Sequence, residues 1–325
     1  MNKTWLIIKR EYLTRVRNRT FIISTFLTPL FFVGLIAAIV FISPKDMANQ
    51  KTVREAEIVK ENMAKNEKSG VAYGVGYASS FLIYISILIY GTMVMRGVSE
   101  EKTNRIAEII ISSVKPFQLM MGKIIGIGAV GLTQFIMWLV LVVVFVLVLF
   151  TVLPPDALGE AGKQSSAPDT AALQASLMTI NLPLILFCFL FYFIFGYLFY
   201  ASLFAAVGSA VSEDAQDTQS LLLPVTMPVI LAIAIMVQVI MKPVSSLATW
   251  SSMVPFFSPV VMMARIPFGV PGTVPWWELI ASMLLLVAGF LFITWLSAKI
   301  YRTGILLYGK KTTWKEMWKW TLKRN

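Results

Sequence analysis

The sequence contains no histidine and a single cysteine, Cys188, among its 325 residues. No disulfide can close within the chain, and neither a histidine metal site nor a histidine general base is available. Charge is scarce as well. Charged residues make up 14% of the chain, against about 25% in an average soluble domain. Hydrophobic residues make up 57%, which places the chain among integral membrane proteins before any motif is considered. The net charge is nevertheless +11, from 28 Lys and Arg against 17 Asp and Glu. In a membrane chain such an excess is first a matter of topology, so a nucleic-acid partner is not expected.

Long apolar runs are what the sequence has instead. Six are near or above the roughly 20 residues that a membrane-spanning helix needs. The fold class expected is therefore all-α: a polytopic membrane protein of six transmembrane helices, because an open sheet would leave its backbone groups unpaired in lipid. The whole chain, 1–325, reads as one transmembrane domain. Its spans cover 21–42, 74–97, 116–153, 182–211, 221–241 and 277–300. The first span is preceded by the basic stretch "MNKTWLIIKREYLTRVRNRT". No small-residue cleavage site follows it, so it reads as a retained span and not a signal peptide.

The positive charges order the two sides. Six lie in the N-terminal stretch (Lys3, Lys9, Arg10, Arg15, Arg17, Arg19) and five around the second connection (Arg96, Lys102, Arg105, Lys115, Lys123). Eight more lie in the tail, 301–325, and the end of the last span (Lys299, Arg302, Lys310, Lys311, Lys315, Lys319, Lys323, Arg324). Both termini and the second connection are thus expected in the cytoplasm, with the chain in the inner, cytoplasmic membrane. Connections 43–73 and 154–181 then face outward. So does an apolar stretch over 250–269, broken by Pro255, Pro259 and Pro267, that reads as re-entrant before the last span. The N-terminal segment 1–20 and the Trp- and Lys-rich tail "TTWKEMWKWTLKRN" both read as basic amphipathic helices lying on the inner membrane surface.

The second connection, "GVSEEKTNRIAEIIISSVKPFQLMMGK" (Gly97–Lys123), is unusual in concentrating charge between two spans. Ser99 can cap a helix whose first turn holds Glu100 and Glu101, and Pro116 marks its end. Ile106, Ile109, Ile110 and Val114 share one face; Glu101, Lys102, Arg105 and Glu108 lie largely off it. One helix over 98–115 is expected. A solvated connector is the plain reading. Two absences argue for more. The nearest approach to a P-loop, "GEAGKQS", has Ala157 in place of the first glycine and Gln164 in place of Ser or Thr. No Asp or Glu is read inside any span, where an ion-coupled transporter usually places one. A transporter without its own energy source must borrow one, and this helix is where it would be received.

At these residues the sequence resembles a known family. Glu101-Lys102, Glu108, Pro116 and Gly122-Lys123 resemble the coupling-helix signature of type-2 ABC exporter permeases. "YASLFAAVGSAVSEDAQDTQS" (Tyr200–Ser220) resembles that family's turn between spans four and five, and "VPFFSPVVMMARIPFG" (Val254–Gly269) its broken segment before span six. The N-terminal helix resembles its elbow helix. The resemblance is greatest to the sodium-efflux (NatB-like) permeases, except that the outward connection 43–73 is too short for the extracytoplasmic domain those permeases usually carry.

The resemblance implies an ATP-driven exporter in which a separate P-loop ATPase subunit binds ATP and Mg. This chain would carry no cofactor and no catalytic or metal site, and would not be an enzyme. Glu100, Glu101, Lys102, Arg105, Glu108 and Pro116 would dock the ATPase. Glu213, Asp214 and Asp217 would make a second cytoplasmic contact. A second permease copy or paralogue would complete the path. The substrate would be Na⁺ by subfamily, or an amphipathic drug, lipid or peptide. A membrane scaffold that docks an ATPase without transporting is the alternative. Gly122-x-x-x-Gly126, Ala201-x-x-x-Ala205 and Gly70-x-x-x-Gly74 allow close helix approach.

Overall fold

Helices account for the regular structure throughout the described residues, as the apolar runs require in lipid. The computed structural model describes residues 3–19, 21–23, 25–27, 53–152, 181–211, 215–307 and 312–322. Most of the expected first span, all but the last residue of the connection 154–181, and the acids Glu213 and Asp214 lie outside that set.

The principal helices are α1 (Lys3–Val16), α2 (Val53–Thr103), α3 (Ile106–Ile111), α4 (Pro116–Val152), α5 (Leu182–Ala210) and α6 (Ala215–Met241), followed by α7 (Ser246–Met253), α8 (Ser258–Arg265), α9 (Trp276–Gly304) and α10 (Trp314–Leu322). Five segments are long and apolar enough to cross a membrane: Ala72–Thr103, Pro116–Leu141, Leu182–Ala210, Gln219–Met241 and Trp276–Gly304. They coincide with the second to sixth apolar runs of the sequence.

The chain divides into two compact units. One comprises Val16–Gly74 and Leu132–Leu182, where the Trp138 indole N–H donates to the Thr25 carbonyl at 3.0 Å. The other comprises Met1–Arg15, Val75–Gly131 and Pro183–Asn325 and carries everything that follows.

In this larger unit α5 forms the core. It is apolar on every side, the pattern of a buried helix, and between Phe199 and Ala210 only Leu203 escapes full burial. Gly208 explains how closely α2 can approach it. A Cβ at Gly208 would sit 2.6 Å from the Met95 carbonyl oxygen, so α2 and α5 meet backbone to backbone there. Across α5, Ser202 and Thr294 of α9 share a hydrogen bond of 2.9 Å, the kind of mild polar contact that joins membrane helices.

The proline-broken stretch before the last span is not irregular. It is two short helices joined by a turn, then a 3-10 helix at Ile266–Phe268. The Ser245 hydroxyl caps α7 by accepting from the Ala248 N–H, and Pro259 sits in the first turn of α8, where its missing N–H costs nothing. Every residue of α8 is buried. At its end Arg265, 1% exposed, pairs with Glu278 of α9 at 2.8 Å. The same guanidinium donates to the Pro243 carbonyl and to the Ser252 hydroxyl. A chain continues from Tyr192 Oη to Ser282 Oγ (3.0 Å) and from Ser282 Oγ to the Ser252 carbonyl (2.6 Å). Glu278 departs from the expectation that no acid lies inside a span: it sits within 277–300 and is buried. Its charge is tolerated because a partner cation is fixed beside it.

Gly208→Leu should lower the thermal midpoint of the purified protein, at a cost of about 1–3 kcal/mol for overpacking. Gly74→Ala, where an added Cβ meets nothing within 4 Å, should leave the midpoint unchanged or raise it slightly, since alanine suits a helix better than glycine.

Candidate functional site

The charged connection folds differently from one continuous helix over 98–115. Ser99, Glu100, Glu101 and Lys102 belong to the last turns of α2, which ends at Thr103, so Ser99 caps nothing. The break falls at Arg105, whose φ of 56° is left-handed. Its N–H reaches back to the Lys102 carbonyl at 2.9 Å, as in the helix-ending turns that usually place glycine here. The six-residue α3 follows, then a turn at Ser112–Val114. Pro116 is the first residue of α4, where proline's fixed φ favours helix initiation. The connection is thus a short tip carried directly on two long helices.

The six expected docking residues separate into two groups. Glu101 and Lys102 point into the protein, 8% and 6% exposed. Glu100, Arg105 and Glu108 are exposed, and Pro116 is half-buried. Around the exposed group lie Ile109 (74% exposed) and Ile106 (41%), members of the apolar face expected from the sequence, together with Phe117 (51%).

Glu101 is held in a buried ion cluster. α1 packs over α4 where Gly122 and Gly126 clear the way: a Cβ on Gly126 would fall 2.7 Å from the Glu11 Cβ, and one on Gly122 2.8 Å from the Ile7 Cγ2. That approach carries Glu11 into the protein beside Lys123, which is 2% exposed. Lys123 Nζ lies 3.0 Å from Glu11 and 3.2 Å from Glu101. Arg10 contacts both carboxylates, and Arg15 pairs with Glu11 at 3.1 Å. Gly97 leaves the space these cations occupy: its missing Cβ would meet Arg15 Nη2 at 2.9 Å and Lys123 Nζ at 3.3 Å. Burial opposes the charge on Glu11, yet Lys123 and the hydrogen bond from Arg10 overcome it and hold the carboxyl below its ordinary range. None of Arg10, Glu11 and Arg15 was among the expected site residues. The signal was present in Gly122-x-x-x-Gly126, which named a close approach without naming the helix that makes it.

Lys102 serves a separate purpose. Its ammonium donates to the Ser209 and Val211 carbonyls at 2.7 and 3.1 Å, satisfying groups that the end of α5 leaves unpaired. The Val211 carbonyl is the last described before the stretch expected to make the second contact. Asp217 lies in the first turn of α6; its side chain, like Glu213 and Asp214, is outside the described residues. Lys3 Nζ of α1 also reaches the tip, donating to the Ser113 carbonyl at 2.7 Å.

With this geometry in hand the chain can be placed among known proteins. Its sequence matches the ABC-2 family transporter proteins over residues 44–299, and the chain belongs to that family. It is a multi-pass membrane protein of the ABC transporter permease class. An uncharacterized protein of Bacillus subtilis (strain 168), YhaP, is 28% identical over 258 residues, covering 79% of this chain and 57% of YhaP. An uncharacterized protein of Methanocaldococcus jannaschii, MJ1024, is 41% identical over 58 residues, 18% of this chain and 14% of MJ1024. The chain therefore spans little more than half the length of YhaP. No solved structure matches it.

Lys123→Met should destabilise the protein by about 3–5 kcal/mol, the cost of stranding buried partners, read as a lower thermal midpoint. The pH dependence has a definite sign. Because folding lowers the Glu11 pKa, its contribution is present at neutral pH and is lost as pH falls below the ordinary value of about 4.3. Glu11→Gln should start less stable at pH near 7 and lose less than the parent on acidification.

Proposed function

We propose that this chain is the permease subunit of an ATP-driven ABC exporter and that the tip between α2 and α4 receives the mechanical work. The observation that carries this reading is the tip's construction. Ile109 and Ile106 stand exposed beside Glu108 on a helix too short to be stable alone, and that helix is fixed to two membrane-spanning segments. An exposed apolar patch rimmed by charge is the ordinary form of a protein contact. Any displacement of it acts on both spans at once.

The partner is a separate P-loop ATPase that binds ATP and Mg, seated against Glu100, Arg105, Glu108, Ile106 and Ile109. Glu213, Asp214 and Asp217 form its second contact, next to the carbonyls that Lys102 holds. The tip and both termini face the cytoplasm. With the first apolar run counted, the permease has six spans, α1 is its elbow helix, and the α7–α8 hairpin enters and leaves the membrane from the outer side. Two permease chains, identical or paralogous, form the path. The sodium-efflux relationship supplies Na⁺ as one candidate cargo. The aromatic and aliphatic spans suit an amphipathic drug, lipid or peptide equally well, and the acid found inside a span, Glu278, is already neutralised by Arg265.

Within the connection, Glu101 and Lys102 act as internal struts while Glu108 and Ile109 make the contact. The pair Glu108→Lys with Ile109→Asp should therefore reduce ATPase recovery on co-purification by at least about tenfold, a loss of about 1.4 kcal/mol, while the thermal midpoint stays unchanged. Unchanged recovery would remove the tip from the interface. Vesicles containing both subunits should show ATP-dependent substrate movement; ATPase docking with no movement across substrate classes would favour the scaffold reading.

A further inference from the structure

The tail helix α10 carries a face that the permease reading does not use. Met317 and Thr321 are buried on one side, 1% and 7% exposed, whereas Trp318 and Leu322 are 60% and 71% exposed. Lys315 and Lys319 are exposed beside them. On a helix these four residues fall within about one third of the circumference, apolar and basic in alternation. The position of α10 is fixed by α9. Lys299 Nζ donates to the Thr321 carbonyl at 3.1 Å and stands 4.1 Å from the centroid of the Trp295 ring, itself 55% exposed. The tail thus turns back, so that its last turn lies level with the final turns of a membrane-spanning segment. At that depth a Trp and Lys pairing is the pattern of the membrane–water interface.

Water is a poor match for two large exposed apolar side chains, and hydrocarbon is a poor match for two ammonium groups. The headgroup layer accommodates both. We propose that the Trp318–Leu322 face of α10 is a docking site for an anionic phospholipid surface. Trp318 and Leu322 enter the acyl boundary while Lys315 and Lys319 hold headgroup phosphates. The N-terminal helix places Trp5 (57% exposed) and Leu6 (46%) beside the exposed Lys9 in a similar way. The proposal rests on the chain being a membrane protein and is independent of ATPase coupling. Its consequence is that anionic lipid content sets how firmly the tail is held against the last span.

The test is amide hydrogen exchange of residues 314–322 in the full chain. The protein is placed in nanodiscs of phosphatidylcholine alone or of phosphatidylcholine with phosphatidylglycerol. Exchange should be about thirtyfold slower with phosphatidylglycerol at low salt, the scale set by two lysines at a charged surface. The difference should vanish at high salt and in Lys315→Glu with Lys319→Glu, a variant that keeps the buried face of α10; unchanged exchange in α5 confirms that it folds. Equal exchange in both lipids overturns the proposal. So does protection produced in phosphatidylcholine discs by inorganic phosphate, which would mean a free-anion site, or protection seen only after the ATPase is added, which would mean a protein surface.

Discussion

Lys123 is the residue on which the rest of this architecture depends. An ammonium group 2% exposed is costly to bury. It is tolerated because Glu11 and Glu101 both lie within ion-pair distance. Those two carboxylates lie far apart in the sequence, one on the N-terminal helix and one at the end of a membrane-spanning helix. The cluster therefore joins α1, α2 and α4 at one point. Removing Lys123 leaves two largely buried carboxylates with only the more exposed arginines beside them, which costs more than the contact itself contributes. The same constraint explains Gly97, Gly122 and Gly126, whose absent side chains make the room that the cluster and α1 need.

A tip mounted on such a junction is well suited to move as part of its supports. The short α3 buries only Ala107 and cannot hold its shape alone, so its geometry is set by α2 and α4. Arg105 in a left-handed conformation stores roughly 1–2 kcal/mol that a glycine would not; the flanking helices hold it in place. The connection to α5 runs through Lys102, whose ammonium satisfies the last carbonyls of that helix. Work applied at the tip would thus reach three membrane-spanning segments, and the Arg265–Glu278 pair locks the α7–α8 hairpin to a fourth.

Much of this was legible in the sequence, for reasons that differ between features. Five apolar runs appear as helices because lipid leaves the backbone no other way to pair. The charged connection stood out because its composition breaks so sharply with its neighbours. Its internal division was not visible. Glu101, Lys102, Arg105 and Glu108 look alike in sequence, and only the break at Arg105 decides which face the protein and which face outward. Long-range pairing is likewise invisible in a single chain: Arg10, Glu11 and Arg15 read as a surface helix, and Arg265 as an outward positive charge. Glu11 and Arg265 are nevertheless buried, each against a partner distant in sequence, Lys123 and Glu278. The small-residue spacing succeeded at Gly122 and Gly126 and was silent at Gly74, where nothing packs, because spacing permits approach without requiring it.

The central claim is that the connection divides into an outward contact surface and an inward strut. Site-specific photo-crosslinking tests it most directly. A photoreactive amino acid placed at Ile109 or at Glu101 is activated in membranes that also contain the ATPase. A crosslink to the ATPase from position 109, with none from position 101, is the predicted result. A crosslink from position 101, or none from position 109 in chains that still bind the ATPase, would contradict the account.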